Sequence, residues 1–251
     1  PRSLAEVTSG RVVLFTHDWA APQAVPGVEI VDIGPVRSGA EYSRFVLRGL
    51  PRHIATSHVL ITQWDGFVVQ AQAWREAFLD CDYIGAPWPD QPADRAVGNG
   101  GFSLRSRRLL QAGLDGHIRH EHPEDLVLCH EYRAWLEQRH GVRFASLEQA
   151  RGFAFENAEP PGPTFGFHGP YNLPRVLDAG TLAGWLHQLP LEFFRSRDAR
   201  RLARALLAHR MPQVASQLLA RRRQAGRDDV QTRLLAAAAT VAAWMPGSRQ
   251  L

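Results

Sequence analysis

Short apolar runs alternate with longer amphipathic segments over the first two thirds of the chain. The short runs are rich in β-branched and aromatic residues and end in polar or glycine-containing stretches, which is typical of buried strands. The predicted strands are residues 11–16, 28–33, 57–62, 102–104 and 142–145, with a short extended piece at 83–86.

Helical spacing of apolar residues fills the segments between these strands. Helices are predicted at residues 39–49, 71–79 and 107–112 and from Pro123 onward. A proline in the first turn, followed by two acids, favours a helix start at that last position. Alternating strands and helices predict an α/β fold with a mixed, mostly parallel sheet that is flanked by helices.

The pattern changes after about residue 174. Ala199, Leu202 and Leu206 form one apolar stripe with arginines on the opposite face, Pro212 opens a second amphipathic helix, and Asp228 begins a capping-box pattern for a third. Short connections predict antiparallel helical hairpins. The expected domains are therefore residues 1–174, with the α/β pattern, and residues 175–251, a basic helical region.

All 29 basic residues are arginines, and the positive charge lies mainly in one segment. Residues 195–227 hold ten arginines and a single acid, Asp198, while the rest of the chain carries 19 basic and 24 acidic residues. A mildly acidic main domain argues against nucleic acid as the partner of the whole protein. The arginine-rich helices are either a solvated face or a contact for a protein partner or the inner membrane surface.

Two further features bear on the compartment. Cys81 and Cys129 are far apart and lack metal-ligand spacing, so reduced, half-buried thiols are expected. The longest run of low polarity, residues 234–245, is too short to span a bilayer. Together these features favour a cytoplasmic protein, which could lie against the inner membrane through its arginine-rich helices.

The first candidate site follows the strand at residues 57–62. Asp65 lies at the carboxyl end of that strand, where ligands bind in open α/β sheets, and its carboxylate could hold a divalent metal. The neighbouring Trp64 offers an aromatic platform for a sugar or a base. The competing interpretation is a surface turn, because Asp-Gly is a common turn dipeptide.

A glycine-rich segment at residues 98–103 forms the second candidate site. Gly100 and Gly101 permit close approach of the backbone to a ligand, and Asn99 supplies hydrogen-bond donors and acceptors. A loop that enters a strand explains the same residues equally well.

Two carboxylates and a histidine complete the candidate chemistry. One carboxylate of Glu124 and Asp125 could act as general base on a hydroxyl, although acids at a helix start also simply complement the helix dipole. His168 could ligate a metal, although a lone histidine is more often hydrogen-bonded within a core.

The order of these motifs resembles a bacterial glycosyltransferase-like family. The resemblance rests on HVLITQWDGFVV, GNGGFSLRSRRLL, PEDLVLC and FGFHG, which occur in this order between about Leu4 and Asn172. The family is an uncharacterised one of the GT-A superfamily, distantly similar to the β-1,3-galactosyltransferase and fringe enzymes. The resemblance implies a GT-A-like fold for residues 1–174, and it implies that the first strand of that fold lies upstream of Pro1.

The resemblance also implies roles for individual residues. Asp65 and His168 would hold a divalent metal, Mn²⁺ or Mg²⁺, on the diphosphate of a nucleotide-sugar donor. Asp125 would be the catalytic base, with Glu124 beside it. The donor and acceptor cleft would be lined by Trp64, Asn99, Gly100 and Gly101. The chain departs from the pattern at residues 63 and 64, where Gln and Trp stand in place of acids.

The expected function is therefore an inverting glycosyltransferase that moves a sugar from a nucleotide-sugar donor to a bacterial glycan acceptor. A catalytically degenerate carbohydrate- or nucleotide-binding module is the first alternative, because two acids of the metal-binding triplet are missing. A docking protein that acts through its helical tail is the second.

Overall fold

The computed structural model describes residues 2–7, 10–19 and 25–244. It divides the chain into two compact units, Pro1–His168 and Gly169–Leu251. The division falls slightly before the domain boundary predicted at residue 174. Both units contain the kind of structure that the sequence predicts for them, mixed α/β in the first and helical in the second.

Seven strands form three small sheets in the described part of the first unit. Strands β1 and β2 pair in parallel, β6 and β7 also pair in parallel, and an antiparallel sheet has the order β3-β5-β4. The strands are β1 Val12–Thr16, β2 Val28–Asp32, β3 His58–Thr62, β4 Tyr83–Gly85, β5 Phe102–Ser106, β6 Ala154–Phe155 and β7 Gly166–Phe167.

The expected mostly parallel sheet is thus replaced by three small sheets, of which the largest is antiparallel. Residues 86–101 connect β4 to β5 without a helix, and antiparallel neighbours need no helical crossover. Apolar runs in the sequence mark the strands but carry no information on their direction, which explains the difference.

Short helices surround these sheets, and longer helices make up the second unit. In the first unit they are α1 Arg2–Glu6, α2 Gly39–Arg44, α3 Arg107–Ala112, α4 Glu124–Leu126, α5 Arg133–His140 and α6 Leu147–Phe153. In the second unit they are α7 Ala179–Gln188, α8 Leu191–Arg195, α9 Arg197–Ala208, α10 Pro212–Gln224 and α11 Val230–Trp244.

Two predicted elements of the first unit are wrong. Residues 71–79 form two 3₁₀ turns instead of an α-helix, with Trp74 in an extended conformation between them. In this arrangement the indole packs edge-on against Phe78 and Phe165, so tertiary packing outweighs helical spacing. The predicted strand at 142–145 is reduced to a single bridge between Tyr83 and Phe144.

An aromatic core fixes the position of the sheets in the first unit. Phe78, Phe102 and Phe153 are fully buried, and neighbouring ring centroids lie 5.3 Å apart. Phe165 joins them between the antiparallel sheet and β7. Phe102 directly follows Gly101, so this packing anchors one end of the glycine-rich segment.

Several arginines of the second unit form hydrogen bonds to other residues of that unit instead of forming a solvated face. The guanidinium of Arg222 is buried and donates to the carbonyl oxygens of Phe194 and Ser196, at 2.7 and 2.8 Å. The capping residue of α11 also differs from the prediction. Asp229, and not Asp228, accepts a hydrogen bond from the backbone N–H of Thr232. The predicted helices themselves are confirmed.

None of the helices in the described ranges is long and apolar enough to cross a membrane. The predicted low-polarity run at 234–245 forms most of α11, and its last residue, Met245, lies outside the described residues.

Candidate functional site

A cleft of about 240 Å³ opens in the first unit where several loops meet. Its walls are the turn after β3, the loop before β5, the start of α4 and the residues that follow β6 and β7. Tyr42 of α2 and Trp88 complete the rim. Segments that are distant in the sequence therefore contribute to one concave surface.

A tight turn after β3 brings Asp65 to His168. Gln63 donates its backbone N–H to the carbonyl of Gly101 at 2.9 Å, and Gly66 donates back to the carbonyl of Gln63 at 3.2 Å. Asp65 is buried, and its Oδ1 lies 3.3 Å from Nε2 of His168. The Asp-Gly pair thus forms a turn and also places a carboxylate against His168, beside the cleft.

The parallel pairing of β6 with β7 places Glu156 beside His168. Phe155 and Phe167 are partners in the register, and the two polar residues follow them directly. Oε1 of Glu156 lies 3.2 Å from Nδ1 of His168. Burial lowers the pKa of His168, but the carboxylates of Asp65 and Glu156 outweigh it and raise the pKa to about 10. Without another cation, His168 is therefore an imidazolium at neutral pH.

The donor atoms around Nε2 of His168 fit a divalent cation. Oδ1 of Asp65 and Oε1 of Gln63 lie 3.3 and 3.2 Å from this nitrogen, and ligands at about 2.0–2.2 Å from one ion lie roughly 3 Å apart. Oδ1 of Asp65 is buried and accepts no hydrogen bond of good geometry from the described residues. Within those residues no three His, Cys, Asp or Glu side chains are grouped for metal binding. The side-chain oxygen of Gln63 is the other oxygen close to this nitrogen.

The glycine-rich loop brings the backbone against the site. Asn99 has a left-handed backbone, with φ of 66°, and its Oδ1 accepts from the N–H groups of Gly101 and Phe102. A Cβ at Gly100 would collide with the carboxylate of Glu124, and one at Gly101 would collide with the ring of His168. The two glycines are therefore required by the close approach of site side chains.

Asp125 lines the cleft and contacts the glycine-rich loop. Its Oδ2 accepts the N–H of Gly100 at 3.1 Å, and its Oδ1 accepts the N–H of Leu126 at 2.9 Å. Burial raises the pKa of Asp125, and the negative charge of Glu124 raises it further. Such a carboxylate binds a proton more readily than an exposed one, which suits a general base.

Glu124 forms a buried ion pair. Its Oε1 lies 2.9 Å from Nη2 of Arg105, and both side chains are almost fully buried. Ser43 donates to Oε2 at 3.3 Å, and Arg105 also donates to Ser103. The neighbouring charges raise the pKa of Arg105 despite its burial. The pair ties the start of α4 to β5, so Glu124 holds Asp125 in position.

The structure brings most of the predicted site residues together, with one exception. Asn99, Gly100, Gly101, Glu124, Asp125 and His168 line the cleft, and Asp65 contacts His168 from beside it. Trp64, in contrast, is 47% exposed and lies outside the lining. The reason is the turn at 63–66, which directs Asp65 inward and its neighbour outward.

Three residues that line the cleft are not among the predicted site residues: Tyr42, Trp88 and Glu156. Glu156 could have been found, because both FAFE and FGFH end a short apolar run with a polar residue. The two aromatic residues lie in segments whose sequence gives no indication of the cleft.

Comparison with known proteins identifies the family of the first unit. No curated protein and no solved structure gives a match. A family model described as "Protein of unknown function (DUF5672)" matches residues 28–168. This match covers more than half of the chain, contains the site residues of the loops after β3 and before β5, and ends at the residue that closes the first unit. The chain therefore belongs to the DUF5672 family.

Proposed function

We propose that the protein is an inverting glycosyltransferase that moves a sugar from a nucleotide-sugar donor to a hydroxyl of a bacterial glycan acceptor. The observation that supports this most is the shared cleft, which is lined by Asp125, a carboxylate of raised pKa, and by His168, which Asp65 contacts from beside the cleft. A base and a cationic site for a leaving diphosphate are the two groups that sugar transfer requires. The first unit would then be a GT-A-like domain.

Asp125 is the proposed base. Its carboxylate takes the proton of the acceptor hydroxyl as the oxygen attacks the anomeric carbon, and the bond from that carbon to the diphosphate breaks on the opposite face. The electron pair of the broken bond leaves with the nucleoside diphosphate. Hydrogen bonds from Gly100 and Leu126 hold the carboxylate in one orientation, so little reorganisation accompanies the step.

Asp65, His168 and Gln63 are the proposed ligands of a divalent cation, Mn²⁺ or Mg²⁺. When bound, this cation would neutralise the charge that develops on the diphosphate. Glu156 holds the far nitrogen of the His168 ring and thereby fixes the ring plane. Gly100 and Gly101 carry no side chain, which lets Glu124 and His168 lie against the backbone of the loop.

The experiment is a paired measurement of donor binding and turnover. Thermal shift with a panel of nucleotide sugars, with and without Mn²⁺, identifies the donor, because a ligand that binds the folded state raises the melting temperature. Turnover of that donor is then compared for the natural chain, Asp125→Asn and Asp65→Ala. Loss of turnover with retained binding in Asp125→Asn supports a base, whereas unchanged turnover in both variants refutes the proposal.

A degenerate binding module is the alternative, and Gln63 in place of an acid favours it. In that case a nucleotide sugar raises the melting temperature, but neither the natural chain nor any variant turns it over. Asp65→Ala then removes the Mn²⁺ dependence of binding. The same two assays therefore separate an enzyme from a module that only binds.

The second unit is proposed to contact a protein partner or, as the lesser alternative, the inner face of the cytoplasmic membrane, with no role for nucleic acid. Arg204, Arg210, Arg223 and Arg227 are exposed. Others are used internally, such as Arg222 and Arg195, which donate to backbone carbonyls. Co-sedimentation with anionic vesicles that disappears at high salt supports membrane contact through charge, and its absence at low salt excludes it.

A further inference from the structure

Trp88 forms an aromatic wall of the cleft, at the start of the connection from β4 to β5. Its backbone N–H donates to the carbonyl of Ala96 at 2.7 Å, beside a bridge between Pro87 and Val97. A Cβ at Gly98 would collide with the six-membered part of the indole, so the ring lies against the backbone of the glycine-rich loop. The protein itself therefore holds the indole in place, which lowers the entropic cost of binding a ligand there.

Three residues of the cleft contact the glycine-rich loop in the order of its positions. Trp88 packs against position 98, Asp125 accepts the backbone N–H of position 100 at 3.1 Å, and His168 lies against position 101. At most about 11 Å of backbone separates positions 98 and 101. The ring centroid of His130, in the helical segment that follows Asp125, also lies 4.9 Å from that of Trp88. The indole is therefore nearer along the loop to Asp125 than to His168.

The size and the walls of the cleft suit a single sugar ring. Its volume of about 240 Å³ is below the roughly 300–1,000 Å³ of sites for drug-sized ligands, so an oligosaccharide would not fit inside it. The C–H groups on one face of a pyranose carry partial positive charge and pack on the negative face of an aromatic ring. The hydroxyl of Tyr42 is buried, and neither it nor the indole N–H of Trp88 has a hydrogen-bond partner of good geometry within the described ranges. Both groups can therefore bind sugar hydroxyls.

The charges of the site favour a neutral ring. Its two cationic side chains already pair with carboxylates, at 2.9 Å for Arg105 and at 3.2 and 3.3 Å for His168. Asp125 accepts backbone N–H groups and forms no ion pair with the residues that the structure describes. A sugar carboxylate beside Trp88 would thus meet a like charge without a free cation to offset it.

We propose that Trp88, Asp125 and Tyr42 form a subsite for a neutral hexopyranose, whose C–H face packs on the indole while one of its hydroxyls points to the carboxylate of Asp125. In the proposed reaction, on which this last step rests, the ring belongs to the acceptor. Its hydroxyl meets the base, whereas the donor diphosphate lies beside His168. Trp88 thus supplies the aromatic platform that the sequence pattern assigned to Trp64, which lies outside the lining.

Saturation-transfer NMR on the full 251-residue chain measures this binding without a donor. The probes are methyl β-D-glucopyranoside and methyl β-D-galactopyranoside as neutral rings and methyl β-D-glucuronide as an acidic ring, at pH 8, where carboxylates are ionised. We expect at least one neutral probe to bind, with C–H protons shifted upfield by the ring current of the indole. The glucuronide should bind at least about fivefold more weakly, because like charges about 4 Å apart repel each other even in water.

Variants separate packing on Trp88 from other contacts. Trp88→Leu keeps apolar bulk but removes the ring, so it should abolish the upfield shift and weaken binding of the neutral probe about two- to tenfold, whereas Trp88→Phe retains the shift. Trp64→Leu is the matched control, because it removes an exposed indole outside the cleft. Asp125→Asn removes the like charge and should narrow the difference between the neutral and the acidic probe. Exchange of the β5 amides confirms that each variant is folded.

The subsite is supported when the upfield shift is lost in Trp88→Leu and kept in Trp64→Leu, and when Asp125→Asn binds the glucuronide relatively better. No binding of any probe, or equal binding to Trp88→Leu and the natural chain, overturns it. Unchanged discrimination against the glucuronide in Asp125→Asn overturns the placement of the ring beside that carboxylate.

Failure of the proposed function gives a different result. A sugar that packs on Trp88 in a chain without turnover supports the subsite and rejects the transferase, whereas turnover without this packing does the opposite. Where turnover occurs, Trp88→Leu should raise the KM of the acceptor and leave that of the donor unchanged. A raised donor KM with an unchanged acceptor KM overturns the assignment of the ring to the acceptor.

Discussion

Glu124→Gln tests whether the carboxylate next to the proposed base stabilises the folded state. In the structure Glu124 neutralises the fully buried guanidinium of Arg105 at 2.9 Å. Glutamine has nearly the same shape and keeps one oxygen that can accept a hydrogen bond, but it leaves the buried positive charge without its counter-charge. Breaking a buried pair in this way costs about 3–5 kcal/mol, and the retained acceptor places the expected loss at about 3 kcal/mol.

Native-state hydrogen exchange of the β5 amides measures this loss for the first unit alone, which matters because a chain of two units need not unfold in one step. A loss of about 3 kcal/mol corresponds to exchange that is roughly 150-fold faster. Glu121→Gln is the matched control, because Glu121 pairs with Arg44 and Arg48 near the surface, and such pairs contribute up to about 1 kcal/mol. Equal effects of the two variants would refute the assignment of Glu124 as a structural residue.

Three further predictions concern the loop and the base. Asp125 has a raised pKa, so the folded state binds its proton more tightly than the unfolded state does, and stability falls as pH rises from the ordinary aspartate value through the raised one. Urea titrations should show the free energy of unfolding of the natural chain falling relative to that of Asp125→Asn as pH rises from 3 to 8, because groups common to both chains, such as Glu121 and His168, cancel in the difference. Gly101→Ala should lower the free energy of unfolding by about 1–3 kcal/mol, because the new Cβ meets the ring of His168. Thermal unfolding measures this loss, and unchanged stability would contradict the close approach. Asn99→Ala should lower the free energy of unfolding by roughly 1 kcal/mol more than Asn99→Gly does, because only glycine adopts a φ of 66° without strain. Chemical denaturation measures both variants, and a less stable glycine variant would contradict this.

Local sequence patterns were sufficient to predict the strands and helices whose conformation follows from their own residues. The β-branched runs at β1, β2 and β3 formed strands at the predicted positions, and the amphipathic repeats of the second unit formed α9, α10 and α11. Each of these segments presents one periodic apolar face whatever its neighbours are, so its conformation follows from spacing alone. The close approach predicted for Gly100 and Gly101 was to a ligand, whereas the structure shows approach to the side chains of Glu124 and His168.

Only the tertiary structure decided which residues meet. The turn at 63–66 directs Asp65 inward and Trp64 outward. Glu156 reaches His168 because β6 and β7 run in parallel. Arg222 lies buried in a segment whose composition predicts a solvated face. The physical reason is common to all three cases. Spacing along the chain fixes the direction of a side chain relative to its own helix or strand, whereas its partner is set by loops and packing between segments that are distant in sequence.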